Sequence, residues 1–289
     1  MQLTIAYDGS DGAARAIAAA AHLFPGATAK VVVVPSPTPA VPAEQLARIT
    51  TAIEHAASDL AEAGAEAAAA AGLDAAGVVA PPRAPVWAGV LDAAAGSDAL
   101  VCGSRGQGGL ARAVLGSTSA SLLHHSTLPL VIVPDADPAD GPAVLTYDGS
   151  DVAGNAIGVV GPLLHGRPAV VVHVWESPYR HSLTGRALAS VSEFEGMVEG
   201  LEASLHDAAA EVTESGVGLA RFAGLDARGE TLDSGDGVWR AVAPFAAKLD
   251  AAVIVTGARG VGGARSALLG SVSSGLAYHA ERPVLVVPS

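Results

Sequence analysis

The sequence predicts an α/β fold present twice, each copy a five-stranded parallel sheet with helices on both faces. Three observations carry that expectation. At 289 residues the chain exceeds the ~100 to 200 typical of one domain. It repeats: LTIAYDGSDGAARAI, residues 3–17, returns as VLTYDGSDVAGNAI, residues 144–157, and residues 103–134 return as 257–288. Short apolar runs alternate with longer Ala-rich stretches, and the unbroken Val31–Val34 lacks the alternation of a half-exposed strand, as suits a parallel sheet covered on both sides.

In the first copy an apolar strand near residues 2–7 meets Gly9 and Ser10, and Ser10 is the expected N-cap of a helix through about His22. A second strand spans Ala29–Val34. The Pro-rich connection Pro35–Pro42 then leads into a long Ala/Glu helix ending near Gly72. There follow a short strand near Val78, a helix through Val90 and Leu91, a strand at Ala99–Cys102, a helix beginning near Gly116 and a last strand at Leu130–Val133. Right-handed crossovers place helices on both faces and open a crevice where the strand order reverses. The Asp- and Pro-rich link Asp135–Pro142 divides the chain into domains 1–138 and 139–289.

Composition narrows the function. The formal charge of −13 is shared evenly, residues 1–138 holding 6 basic and 12 acidic side chains and the remainder 10 and 17. A phosphate polymer needs concentrated basic surface, and no Lys/Arg run occurs, so neither nucleic acid nor an anionic membrane is an expected partner. A single cysteine, Cys102, excludes an internal disulfide and fits a reducing compartment. The opening MQLTIAYDGS lacks the features of a signal peptide, and apolar stretches such as Ala67–Ala71 break well before the ~18 to 20 residues of a membrane span. A soluble, cytoplasmic protein is expected.

Chemistry concentrates in one repeated loop. Gly103-x-x-Gly106, nine residues and Gly116-Ser117-Thr118 have their twin in Gly257-x-x-Gly260, nine residues and Gly270-Ser271-Val272-Ser273. Glycines ending a strand let backbone approach a ligand, and a helix start offers free amides and the positive end of its dipole to phosphate. The hydroxyls of Ser117, Thr118 and Ser119, or of Ser271 and Ser273, are further donors to phosphate oxygens. Asp8 and Asp148 end the first strand of each copy. With strands ordered 3-2-1-4-5, the first and fourth are neighbours, so Asp8 and Gly103 flank one crevice, where a carboxylate suits ribose hydroxyls.

Over nearly their full length both copies resemble the universal stress protein family, whose ATP-binding members carry G-2x-G-9x-G-(S/T). The resemblance implies a Rossmann-like, adenine nucleotide alpha hydrolase-like sheet in the order just given. It implies adenine contacts from the backbone of a strand-two valine, Val34 and Val174, and ribose contacts from Asp8 and Asp148. It also implies ATP or another adenine nucleotide as ligand, with Mg²⁺ or Mn²⁺ on the phosphates. Such domains commonly pair through an edge strand, so Leu130–Val133 and Val284–Val287 are candidates for pairing within the chain or in a homodimer.

Other nucleotide motifs fail: there is no GxxxxGK[ST], and Gly106-Gln107-Gly108-Gly109 and Gly260-Val261-Gly262-Gly263 break GxGxxG. Arg105, Arg112, Arg259 and Arg265 lie in the loops, either solvated or leaning toward phosphate. Adjacent His124 and His125 have poor metal-ligand spacing, Cys102 reads as an inert core thiol, and Trp87 and Trp239 as core packing. No catalytic arrangement follows from spacing, so the site residues read as binders. The leading expectation is a nucleotide-dependent regulatory module of the stress response, with one site per domain and an unidentified protein partner. The alternative is a slow ATPase or self-phosphorylating protein using Ser117 and Ser271.

Overall fold

The computed structural model describes residues 1–37, 40, 42–106, 115–177, 187, 195–258 and 269–289. The first copy contains β1 (Gln2–Ala6), α1 (Asp11–Leu23), β2 (Thr28–Val33), α2 (Ala43–Ala70), β3 (Asp74–Val79), α3 (Val86–Ala93), β4 (Ala99–Gly103), α4 (Ser117–His125) and β5 (Leu130–Val133). The second contains β6 (Ala143–Thr146), α5 (Asp151–Leu163), β7 (Pro168–Trp175), α6 (Glu195–Phe222), β8 (Asp226–Asp233), α7 (Val238–Lys248), β9 (Val253–Gly257), α8 (Ser271–His279) and β10 (Val284–Val287).

Two compact units emerge, one of Met1–Pro138 with Ala277–Pro288, the other of Ala139–Leu276 with Ser289. In the first, parallel strands run β3-β2-β1-β4-β5, and β10 lies antiparallel on β5 with Leu285 opposite Val131. In the second, parallel strands run β8-β7-β6-β9. Every residue of β4, β5, β9 and β10 is buried, whereas edge strand β3 is largely exposed. Continuous apolar runs therefore mark the buried strands.

Local chemistry sets the element ends. Ser10 Oγ accepts from Ala13 N–H at 3.2 Å and caps α1, with Asp11 complementing the dipole in the first turn. Ser150 does the same for α5. Strand β2 stops at Val33 because Pro35 lacks the N–H that would extend a ladder. In the second copy Trp175 stands at the corresponding place, and the ladder runs on to pair it with Asp233. Among the described residues no helix is long and apolar enough to cross a membrane.

Candidate functional site

The first unit's crevice opens at the carboxyl ends of β1, β2 and β4. Beyond β1 the chain turns through Gly9, whose φ of 77° lies in the left-handed region that glycine tolerates. Asp8 Oδ1 accepts from Ser10 N–H at 3.1 Å and from Ser10 Oγ–H at 2.6 Å, so the carboxylate is oriented by the residue that caps α1.

Strand β4 ends at Gly103, and the backbone there lies directly on α1. A Cβ on Gly103 would stand 2.6 Å from Gly12 O, and one on Gly12 would overlap the carbonyl oxygen of Arg105. Gly106 lies so close to Asp8 that a Cβ would overlap Oδ2. The two ends of the loop meet where Gly116 N–H donates to Ser104 O at 2.8 Å. Ser119, buried, donates to Gly103 O at 2.7 Å, so its hydroxyl proton ties α4 to β4. Ser117 is exposed at the start of α4, with Thr118 half-buried beside it.

Val34 follows β2, and its backbone direction comes from the ladder. Tyr7 N–H donates to Val32 O and Ala80 N–H to Val33 O, each at 2.9 Å. Alternation then turns the N–H and C=O of Val34 to the β1 side, past the end of β1 and into the crevice. Asp8, Val34, Gly103, Gly106, Gly116, Ser117, Thr118 and Ser119 all line one cavity of about 970 Å³. Its apolar wall includes Ile53, Ala57 and Leu60 of α2 and Val86 and Val90 of α3. That volume lies within the ~300 to 1,000 Å³ of small-molecule pockets.

In the second unit, Asp148 Oδ1 accepts from Ser150 N–H at 3.0 Å and Oγ–H at 2.5 Å. Tyr147 N–H donates to Val172 O and Ser234 N–H to Trp175 O, so the backbone of Val174 faces the crevice side, as that of Val34 does. Gly257 ends β9, and Gly270 N–H donates to Ala258 O at 2.8 Å. Ser271 and Val272 open α8, while buried Ser273 donates to Ala258 O and Gly270 O, both at 3.0 Å. Gly260, Arg112, Arg259 and Arg265 lie outside the described residues.

Several sequence expectations need refinement. Arg105, half-buried, lines the same cavity, and its guanidinium donates to Asp135 Oδ2 at 2.9 Å. Trp87 is not a core residue but stacks on exposed His125, ring centroids 4.4 Å apart. Burial pushes the Cys102 thiol up to about 12, its hydrogen bond with Ser119 acting the other way, so it is neutral at ordinary pH and a poor nucleophile. Reading the sequence alone missed the α2 wall, although Ile53, Ala57 and Leu60 have the i, i+4, i+7 spacing of one helix face. It also missed Gly12, which nothing local distinguishes.

The model of the universal stress protein family matches residues 1–134 and again 142–288. The chain belongs to the universal stress protein family. A universal stress protein of Mycolicibacterium smegmatis is 32% identical over 208 residues, 68% of this chain and 64% of its own length. One from Mycobacterium tuberculosis is 29% identical over 199 residues, 66% of this chain and 61% of its own. The chain thus covers under two thirds of these curated universal stress proteins. Among solved structures, a universal stress protein from Archaeoglobus fulgidus matches 99% of this chain and 98% of its own with a TM-score of 0.65 at 20% identity, a likeness of fold.

Proposed function

We propose that this protein is a nucleotide-dependent regulatory module whose first-copy crevice takes an adenine nucleotide, ATP above all. The observation that carries the reading is the convergence on one cavity of an oriented carboxylate, an outward-turned valine backbone and a glycine loop returning at a helix start. Asp8 is assigned to the ribose, the backbone of Val34 to the base, and Gly106, Gly116, Ser117 and Thr118 to the phosphates, where amides at the start of α4 favour negative charge. The apolar face of α2 suits a flat base. Asp148, Val174 and Gly270–Ser273 hold the corresponding positions in the second copy, with Val272 in place of Thr118 removing one hydroxyl donor.

Among the described residues no group of three His, Cys, Asp or Glu side chains could hold a metal ion. In this reading a Mg²⁺ or Mn²⁺ accompanying ATP would sit on the phosphates, with Ser117 and Thr118 as the chain's oxygen donors. We place the boundary between copies at 138/139, in the interval between the two matched segments. A cytoplasmic setting and a protein partner that responds to the bound nucleotide belong to this reading.

Thermal unfolding with and without ATP is the test. Ligand at one hundred times its dissociation constant should stabilise the chain by about 2.7 kcal/mol, a rise of several degrees. Gly106→Val, which drives a side chain into Asp8, should remove the rise. An unchanged melting temperature for the wild type, or an undiminished rise in the variant, would refute the proposal.

A further inference from the structure

The first half of the phosphate loop is held on two sides. Its backbone rests on α1, where Gly12 lies against the carbonyl of Arg105, and its side chain reaches the end of β5. There Asp135 is shared: Oδ2 accepts from Arg105 at 2.9 Å, and Oδ1 pairs with Arg15 of α1. Ser104 N–H adds a bond to Val133 O at 2.7 Å. One carboxylate thus ties loop, strand and helix together just beside Gly106 and Gly116. In the second copy Ser289 stands where Asp135 does and Asn155 where Arg15 does, so both the shared carboxylate and one of its cations are missing there.

We propose that Asp135 is a positioning residue for nucleotide binding in the first copy, acting through Arg105 to hold Gly103–Gly106 where the phosphates are received. It rests on the assignment of that cavity to an adenine nucleotide. Asp135 itself touches no ligand. Because the pair acts on the loop and not on the base or ribose, its loss weakens phosphate binding selectively. The first copy's Gly103–Gly106 segment is thus set before ligand arrives.

The test uses the full chain carrying Asp148→Ala, which disables the second site, titrated with MgATP and with adenosine. Asp135→Asn, which keeps the shape and removes the charge, should weaken MgATP binding about three- to tenfold, in keeping with one partly exposed ion pair. Adenosine binding should be unchanged. Arg105→Ala should do the same, and the double variant should lose less than the product of the two single losses, since both changes break the Arg105–Asp135 pair. Asp135→Glu should recover most of the affinity. Unaltered MgATP binding by Asp135→Asn, losses that multiply in the double variant, or an equal loss of adenosine binding would overturn the inference while leaving the nucleotide assignment standing. No binding of either ligand before these changes would overturn both.

Discussion

Gly64 of α2 lies where that helix crosses β1 and β2, and a Cβ there would stand 2.7 Å from Val31 Cγ1 and 2.8 Å from Tyr7 Cδ1. Gly216 repeats the arrangement against Val171 and Tyr147. Alanine is the better helix former by about 1 kcal/mol, but overpacking a tight contact costs about 1 to 3 kcal/mol. The steric loss should win, so Gly64→Ala should lower stability in urea unfolding. Gly200→Ala, at a helical glycine with nothing within 4 Å, should raise it by about 0.5 to 1 kcal/mol. A stabilised Gly64→Ala would mean that α2 stands further from the sheet. Nothing local in the sequence separates these two glycines, since the difference lies in what the fold brings against each.

At the scale of elements, Ser10 joins structure to site. Its hydroxyl accepts from Ala13 N–H and donates to Asp8 Oδ1, so a single side chain starts α1 and aims the carboxylate. Ser10→Ala should cost about 1 kcal/mol as a lost N-cap. Because Asp8 also loses an oriented donor, ATP affinity should fall in the same variant. Calorimetric unfolding and an ATP titration on one sample would separate the two effects, and full affinity in a destabilised variant would deny the link to Asp8. The cap was legible in the sequence because it needs only Ser beside a helical pattern. The different lengths of β2 and β7 follow from Pro35 against Trp175, also a local signal.

At the scale of the whole molecule, β10 belongs to the same compact unit as Met1–Pro138 although it ends the chain. Leu285, fully buried and opposite Val131, should therefore support β5. Leu285→Ala should cost about 2 to 5 kcal/mol and speed amide exchange in Leu130–Val133, far away in sequence. Unchanged protection of β5 would contradict that packing. The sequence alone determined the duplication, the alternation of strands and helices, and the ends of β1, β2, β4 and β5 to within a residue or so. All of these rest on local periodicity, caps and turn residues, together with the few topologies that right-handed crossovers allow. Only the tertiary structure decided that β10 runs antiparallel on β5 with Leu285 opposite Val131, that Gly12 meets the carbonyl of Arg105, and that Asp135 pairs with Arg105. Each of those depends on two backbones distant in sequence arriving at one place, and burial and charge pairing choose such neighbours without leaving a pattern along the chain.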